Sequence, residues 1–327
     1  MHVLITGAAG MIGRKLTSRL VADASLNGRG IDQLTLVDQF AAPLPAGAPF
    51  KIETSAADLS APGTAEKLVS ARPDVIFHLA AIISGEAEEK FEKGYLVNLD
   101  GTRFLFEAIR KAGGGYRPRV VFTSSVAVFG APFPEEIGDE YFLTPLTSYG
   151  TQKAIGELLL ADYTRRGFMD GIGIRFPSIT VRPGAPNRSA GGFFSNVIRE
   201  PLAGHEAVLP VGEEVASWHA SPRAAIGFLV HAAGLDGERV GMRRNLTMPG
   251  VEVTVGEEIA ALSAVAGPAV AKRIRREPDP KIARIVTTWP RRFAAQRATA
   301  LGFKAETSFD EIIRVHIEDE LGGAWVR

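Results

Sequence analysis

Tyr149-Gly150-Thr151-Gln152-Lys153 sets a phenol and an ammonium four residues apart. On a helix that spacing puts both side chains on one face. A neighbouring cation favours phenolate, so the tyrosine is expected to titrate below its ordinary value of about 10. A phenol tuned in this way takes a proton from an alcohol and returns it in the reverse direction. Ser125 closes the run Phe122-Thr123-Ser124-Ser125, and its hydroxyl is a candidate to hold a substrate oxygen beside the tyrosine. Tyrosine and lysine at this spacing also occur as plain surface pairs. The serine upstream and a glycine loop at the chain start, in this order, favour the chemical reading.

That loop is Gly7-Ala8-Ala9-Gly10-Met11-Ile12-Gly13, between an apolar run and an amphipathic stretch. Glycines there allow a tight turn and a close approach of backbone to pyrophosphate. The helix start supplies free N–H groups and the positive end of its dipole. The spacing is G-x-x-G-x-x-G, not the G-x-G-x-x-G of the dinucleotide fingerprint. Asp38 ends the second apolar run. A carboxylate there accepts both hydroxyls of an adenosine ribose and repels a 2′-phosphate, so the expected cofactor is NAD and not NADP. Asp58-Leu59 follows a third run and either touches adenine or caps a turn or helix.

These groups need a scaffold. Residues 2–6, 34–38, 73–78, 119–124 and 172–175 read as strands, and 11–22, 65–71, 88–111 and 149–165 as helices. Such alternation predicts an α/β fold: a Rossmann-type, doubly wound parallel sheet covered on both faces. Residues 41–49, rich in Ala and Pro, read as a loop. Beyond Pro177 the pattern changes to Pro and Gly clusters and shorter helical pieces at 193–203, 224–233, 255–266 and 310–321. The expected division is an NAD-binding domain, 1–176, and a smaller, mostly helical substrate lobe, 177–327. One or two late segments are free to return to the main sheet.

Bulk properties narrow the function. The 37 basic and 37 acidic residues cancel, which argues against nucleic acid or an anionic membrane surface as partner. The absence of cysteine removes disulfides, thiolate nucleophiles and thiolate metal sites. No apolar stretch is long enough for a membrane span, and the N-terminus lacks the pattern of a secretory leader, so the cytoplasm is the expected compartment. His205, His219, His231 and His316 show no ligand spacing, and no metal is expected. His78 reads as a packed, hydrogen-bonded strand-end residue. The basic run at 272–276 reads as a solvated face. Trp218 and His219 either line the pocket or form an aromatic wall between lobes.

With these motifs in place, the chain resembles the extended short-chain dehydrogenase/reductase family over nearly its full length. Gly7, Gly10 and Gly13 match that family's glycine loop, with Met11 and Ile12 inside it. His78-Leu79-Ala80-Ala81 matches its strand-end motif beside the cofactor. Asn98, in Val97-Asn98-Leu99-Asp100-Gly101-Thr102, matches the asparagine that shapes the central helix. Ser124-Ser125-Val126-Ala127-Val128-Phe129-Gly130 matches the serine segment, with Phe129 where tyrosine is usual. The resemblance implies that Ser125, Tyr149 and Lys153 are catalytic and that Ser124 lies beside the cofactor. It also implies that Lys153 grips the nicotinamide ribose, and that Pro177, Ser178 and Ile179 meet the nicotinamide. Helices over 88–111 and 149–165 would then pair between subunits of a homodimer.

Two departures bear on substrate. Most extended members act on nucleotide-linked sugars and bind the diphosphate with an arginine, where this chain has Ala216. Sugar dehydratases carry an Asp-Glu pair after the catalytic Ser or Thr, where this chain has Val126-Ala127. The chain instead resembles a subgroup of sugar-acid dehydrogenases of the kind that oxidise D-erythronate. The resemblance runs through 1–20, Arg182-Pro183-Gly184-Ala185-Pro186-Asn187, Phe193-Phe194-Ser195 and Arg199-Glu200-Pro201-Leu202. It implies a small 2-hydroxy acid as substrate. Arg182 is the candidate for its carboxylate, since arginine binds carboxylate bidentately; otherwise it is a fold-stabilising loop residue. Ser84 and Asn187 are further candidate contacts. The rival readings are a nucleotide-sugar epimerase or reductase, and a non-catalytic NAD(H)-sensing regulator.

Overall fold

The computed structural model describes residues 1–184 and 191–326. Its strands are β1 (His2–Thr6), β2 (Ser25–Leu26), β3 (Arg29–Gly30), β4 (Gln33–Asp38), β5 (Lys51–Ala56), β6 (Val75–His78), β7 (Arg119–Ser125) and β8 (Asp170–Phe176), followed by β9 (Ser178–Ile179), β10 (Ala207–Leu209), β11 (Ala216–Ala220), β12 (Asn245–Thr247), β13 (Val251–Thr254) and β14 (Ile274–Arg276). Seven of them form one sheet in the order β5-β4-β1-β6-β7-β8-β12. Every pair in it is parallel, as the alternating strands and helices predict. The chain winds outward from β1 to β5, then crosses to β6 and winds the other way. The reversal between β1 and β6 opens a crevice at the carboxyl ends of the strands, where this architecture takes its ligands.

Side chains alternate across the sheet. Val3 and Ile5 of β1 pack on one face with Leu16 and Leu20 of α1 (Met11–Asp23). Leu4 faces the other way, toward a core that holds Phe106, Ile109 and Leu160. These come from α5 (Gly101–Ala112) and α6 (Ser148–Arg165), which lie beside α2 (Thr64–Ser70).

The helix expected over 88–111 starts earlier and is interrupted. α3 (Ser84–Glu89) ends where Lys90 leaves helical geometry, at φ −118° and ψ 69°. α4 (Phe91–Gly94) then runs into a π-helical turn, Tyr95–Asp100, and on into α5. The wider turn admits a side chain that a regular helix would aim elsewhere. Here that residue is Asn98, which is buried. Its side chain accepts from the Ile82 N–H at 2.8 Å and donates to Gln152 Oε1 at 2.8 Å. The apolar spacing of 88–111 is the same with or without this turn, so periodicity alone does not reveal it.

The later part of the chain has its own core. Phe194, Val197 and Ile198 of α7 (Gly192–Leu202) pack with Leu262, Ile312 and Ile313. Two small sheets, β13-β11-β9 and β10-β14, lie in this region beside its helices. Their strands are two to five residues long, too short for alternation to register in the sequence. Two segments beyond residue 176 join the first part of the chain. α8 (Pro222–Gly234) packs on α1, β7 and β8, and β12 pairs with β8. The basic run at 272–276 is the exposed strand β14 and its approach: Arg275 pairs with Glu206 and Arg276 with Glu213. No helix among the described residues is long and apolar enough to cross a membrane.

Candidate active site

The glycine loop joins β1 to α1 and lines the crevice. Gly7 sits at φ +75°, and a Cβ there would lie 2.7 Å from the Ala80 nitrogen. A Cβ on Gly13 would lie 2.3 Å from the Gly7 carbonyl oxygen. Only glycine lets the loop lie this close to the end of β6 and to its own helix. Gly10 caps α1, and Met11, Ile12 and Gly13 form its first turn, with their N–H groups at the crevice end.

Gly7, Gly10, Asp38, Asp58, Leu59, Leu79, Ala80 and Ala81 line one continuous cleft. Eight separated sequence expectations thus meet in one place. Ile82 and Val97 complete the wall and were not expected. Asp38 closes β4; its carboxylate accepts from the Ala9 N–H at 2.9 Å and the Gln39 N–H at 2.7 Å. Asp58 does two things that the sequence left as alternatives. It lines the cleft, and it accepts from the Ser60 N–H and hydroxyl at 2.9 and 2.6 Å, which makes a turn. The cleft suits a dinucleotide: a glycine turn with free helix N–H groups at one end and a strand-end carboxylate beside it. A larger cavity of about 500 Å³ lies at the opposite, amino ends of the central strands, between Tyr116, Arg119 and Asp170. It touches none of the groups named here.

Thr147 caps α6, its Oγ1 accepting from the Gly150 N–H at 3.0 Å, so Tyr149 falls in the first helical turn. Lys153 follows one turn later, its Nζ 5.7 Å from the Tyr149 ring centre. That Nζ donates to the Thr123 carbonyl of β7 at 2.8 Å. Ser125 ends β7, accepts from the Ala127 N–H at 3.1 Å, and its hydroxyl acts on the Tyr149 phenol. The serine, tyrosine and lysine therefore share one spot.

The electrostatics differ from the simple expectation. Burial pushes the Tyr149 phenol up to about 12. The group that acts most strongly against this is the Arg182 guanidinium, followed by the Ser125 hydroxyl. Lys153 is not the cation that lowers it. Burial draws Lys153 itself down to about 8, with Glu157 acting the other way. The reason is geometric: the lysine is turned toward Thr123 and the Phe122 ring, 5.0 Å away, and is itself desolvated.

Arg182 lies just past β9. Its Nε donates to the Ile179 carbonyl at 3.0 Å, and its own N–H donates to Ser195 Oγ at 3.0 Å. No carboxylate among the described residues pairs with it. Arg182 thus braces its loop, one of the two readings offered for it, and its charge also acts on the Tyr149 phenol. Pro177, Ser178 and Ile179 follow β8, with Ser178 bonded to Ser217 Oγ at 3.0 Å. Ser84 opens α3, two residues beyond Ile82. Asn187 lies outside the described residues.

Some candidates are placed elsewhere. Ser124 turns its hydroxyl away from the cleft to Glu157, at 2.5 Å. Asn98 lies behind the cleft wall and holds Ile82. His78 is the packed residue expected, held between Thr6 Oγ1 at 2.8 Å and Thr102 Oγ1 at 2.9 Å, and burial pulls it down to about 3. Trp218 and His219 are buried behind the site. The indole donates to the Met248 carbonyl at 3.1 Å, and the imidazole Nε2 sits 3.2 Å from Glu258 Oε1. No cluster of three or more His, Asp or Glu that could hold a metal occurs among the described residues.

Comparison with known proteins is consistent with this geometry. The model of the NAD dependent epimerase/dehydratase family matches residues 3–220. The D-erythronate dehydrogenase of Cupriavidus necator is 47% identical over 324 residues, 98% of both chains. That of Haemophilus influenzae is 39% identical over 98% of this chain and 100% of its own. A crystal structure described as the nucleoside-diphosphate-sugar epimerase from Agrobacterium tumefaciens shares 65% identity, with a TM-score of 0.98 over 99% of this chain and 95% of that one. The L-threonine 3-dehydrogenase from Trypanosoma brucei shares 22% identity at a TM-score of 0.84, which shows the common fold. A glycine cradle, a strand-end acid and a full-length match together fix the lineage: the chain belongs to the NAD dependent epimerase/dehydratase family.

Proposed function

We propose that the protein oxidises a small free sugar acid, a 2-hydroxy acid such as D-erythronate, to its 2-oxo acid with NAD. The observation that carries this is Arg182. It is the cation that acts on the Tyr149 phenol, and it has no carboxylate partner of its own among the described residues. An alcohol that gives its proton to Tyr149 would therefore hold an adjacent carboxylate against a guanidinium. The names of the relatives from Cupriavidus and Haemophilus support the same reading.

In this mechanism Ser125 orients the substrate hydroxyl. Tyr149, as the phenolate that has already given up its own proton, takes the hydroxyl proton; Arg182 favours that phenolate, and Lys153 would hold the nicotinamide ribose. Bound NAD supplies the hydride acceptor. Gly7, Gly10 and the first turn of α1 bind the pyrophosphate, and Asp38 the adenosine ribose. Asp58 and Leu59 serve the adenine, while Pro177, Ser178 and Ile179 serve the nicotinamide. Asp38→Ala is expected to cut kcat/KM for NAD by about 10-fold or more and to narrow its preference over NADP, by loss of a charge-assisted pair. Steady-state kinetics with both cofactors checks this. Residues 1–176 would carry the cofactor and 177–327 most of the substrate contacts, with Ser84 and Asn187 as further ones.

The second reading is a nucleotide-sugar epimerase or reductase, favoured by the description of the Agrobacterium structure. Ala216, where a diphosphate-binding arginine is expected, opens β11 and supplies no charge there. One screen decides between the two. NAD reduction with four-carbon and longer sugar acids, and no binding of UDP- or GDP-sugars, supports the proposal. Tight nucleotide-sugar binding with inert acids overturns it. An NAD(H)-sensing regulator would bind NAD and turn over neither class.

The proposal includes a homodimer in the cytoplasm, where the NAD pool is available. Phe91, Leu96 and Leu158 are exposed on α4, the π turn and α6, at 57%, 46% and 64%. These elements are the ones whose counterparts pair between subunits in the family. Leu158→Arg is expected to convert a dimer to a monomer in light scattering; a monomeric wild type would refute the dimer.

A further inference from the structure

Tyr149, Lys153 and Glu157 recur every fourth residue of α6 and so form one stripe. The stripe meets three consecutive residues of β7. The Ser125 hydroxyl acts on the Tyr149 phenol, Lys153 Nζ donates to the Thr123 carbonyl at 2.8 Å, and Ser124 Oγ donates to Glu157 Oε1 at 2.5 Å. Glu157 is 1% exposed. Its carboxylate also receives Arg175 of β8, Nε at 2.9 Å to Oε1 and Nη2 at 2.7 Å to Oε2. Burying such a pair is costly, and well-packed apolar residues often serve stability as well or better. The network's position, one turn from the lysine, therefore calls for a reason other than stability.

We propose that Glu157 is a positioning residue of the active site: by anchoring Ser124 it fixes the Thr123 carbonyl and the Ser125 hydroxyl on either side, and it places a carboxylate one helical turn from the Lys153 ammonium. The inference rests on the catalytic reading of Tyr149 and Lys153. The titratable groups around the lysine are Tyr149 and Glu157 on its own helix and His78 from β6. His78 is neutral, clamped between two threonine hydroxyls, and burial pulls it to about 3. Tyr149, pushed up to about 12, is also neutral at pH 7. Glu157 is thus the negative group in the set, and it alone acts against the shift that burial imposes on Lys153. Arg175 of β8 pairs with the same carboxylate.

The test is the alkaline limb of the kcat/KM profile, where activity falls as Lys153 loses its proton. Glu157→Gln removes the counter-charge, so the limb should move to lower pH by about one unit. Because Glu157→Gln leaves Arg175 buried and unpaired, the double variant Glu157→Gln/Arg175→Gln is measured beside it. It is expected to fold, shown by circular dichroism, and to keep the shifted limb; Glu157→Asp should restore the limb in part. A folded double variant with the wild-type pH profile overturns the inference. Lys153→Met separates this from the underlying reading: near-normal turnover in that variant would refute the catalytic lysine itself.

Discussion

Tyr149→Phe is expected to lower kcat by about 1000-fold or more while leaving the fold and NAD affinity unchanged. The change deletes one oxygen. What goes with it is the group that receives the alcohol proton, a contribution worth about 100- to 10,000-fold for a positioned acid–base residue. NAD binding is proposed to rest mainly on the Gly7–Gly13 loop and on Asp38, in a cleft that Tyr149 does not line, so it should survive. Stopped assays of turnover, with fluorescence titration of NADH binding, check both halves. Loss of binding together with turnover would instead assign Tyr149 to cofactor retention.

Arg182→Met is expected to reduce kcat/KM for a sugar acid by about 100-fold, most of it in KM, because a charge-assisted pair to the substrate carboxylate is lost. A second effect has a fixed sign. Arg182 acts against burial on the Tyr149 phenol, which even so stands raised, at about 12. Removing the guanidinium lets the phenol rise further, so the pH at which activity climbs must move upward. A neutral alcohol substrate should feel only the second effect. Equal losses for acid and neutral substrates would place Arg182 in the loop framework alone, through its bond to the Ile179 carbonyl.

How much of this was legible in the sequence follows from physical scale. Gly7 and Gly13 were legible because a Cβ there would fall 2.3 to 2.7 Å from backbone atoms, and that requirement is written directly as glycine. The stripe of Tyr149 and Lys153 was legible because helical spacing is local. The π turn at Tyr95–Asp100 was not, since one extra residue per turn leaves the apolar spacing nearly unchanged. The sign of the tyrosine shift was misjudged for a related reason. Spacing puts Lys153 beside Tyr149, but it carries no information on burial, or on Arg182 arriving from 33 residues away. Glu157 did leave a signal, a carboxylate one further step of four along the same face, whose meaning depends on Ser124 and Arg175 reaching it from two strands. The small sheets β13-β11-β9 and β10-β14 left none, because their strands are shorter than a period-two pattern needs.

In the proposed reaction NAD oxidises the hydroxyl next to a free carboxylate, with Tyr149 taking the proton and Arg182 holding the carboxylate. The most direct measurement incubates the wild-type protein with D-erythronate and NAD, follows NADH by absorbance, and identifies the product by mass spectrometry. The account predicts one NADH per acid consumed and a 2-oxo acid lighter than the substrate by two hydrogens. Formation of no NADH from any sugar acid, by a protein that binds NAD and converts a nucleotide-linked sugar, would contradict it.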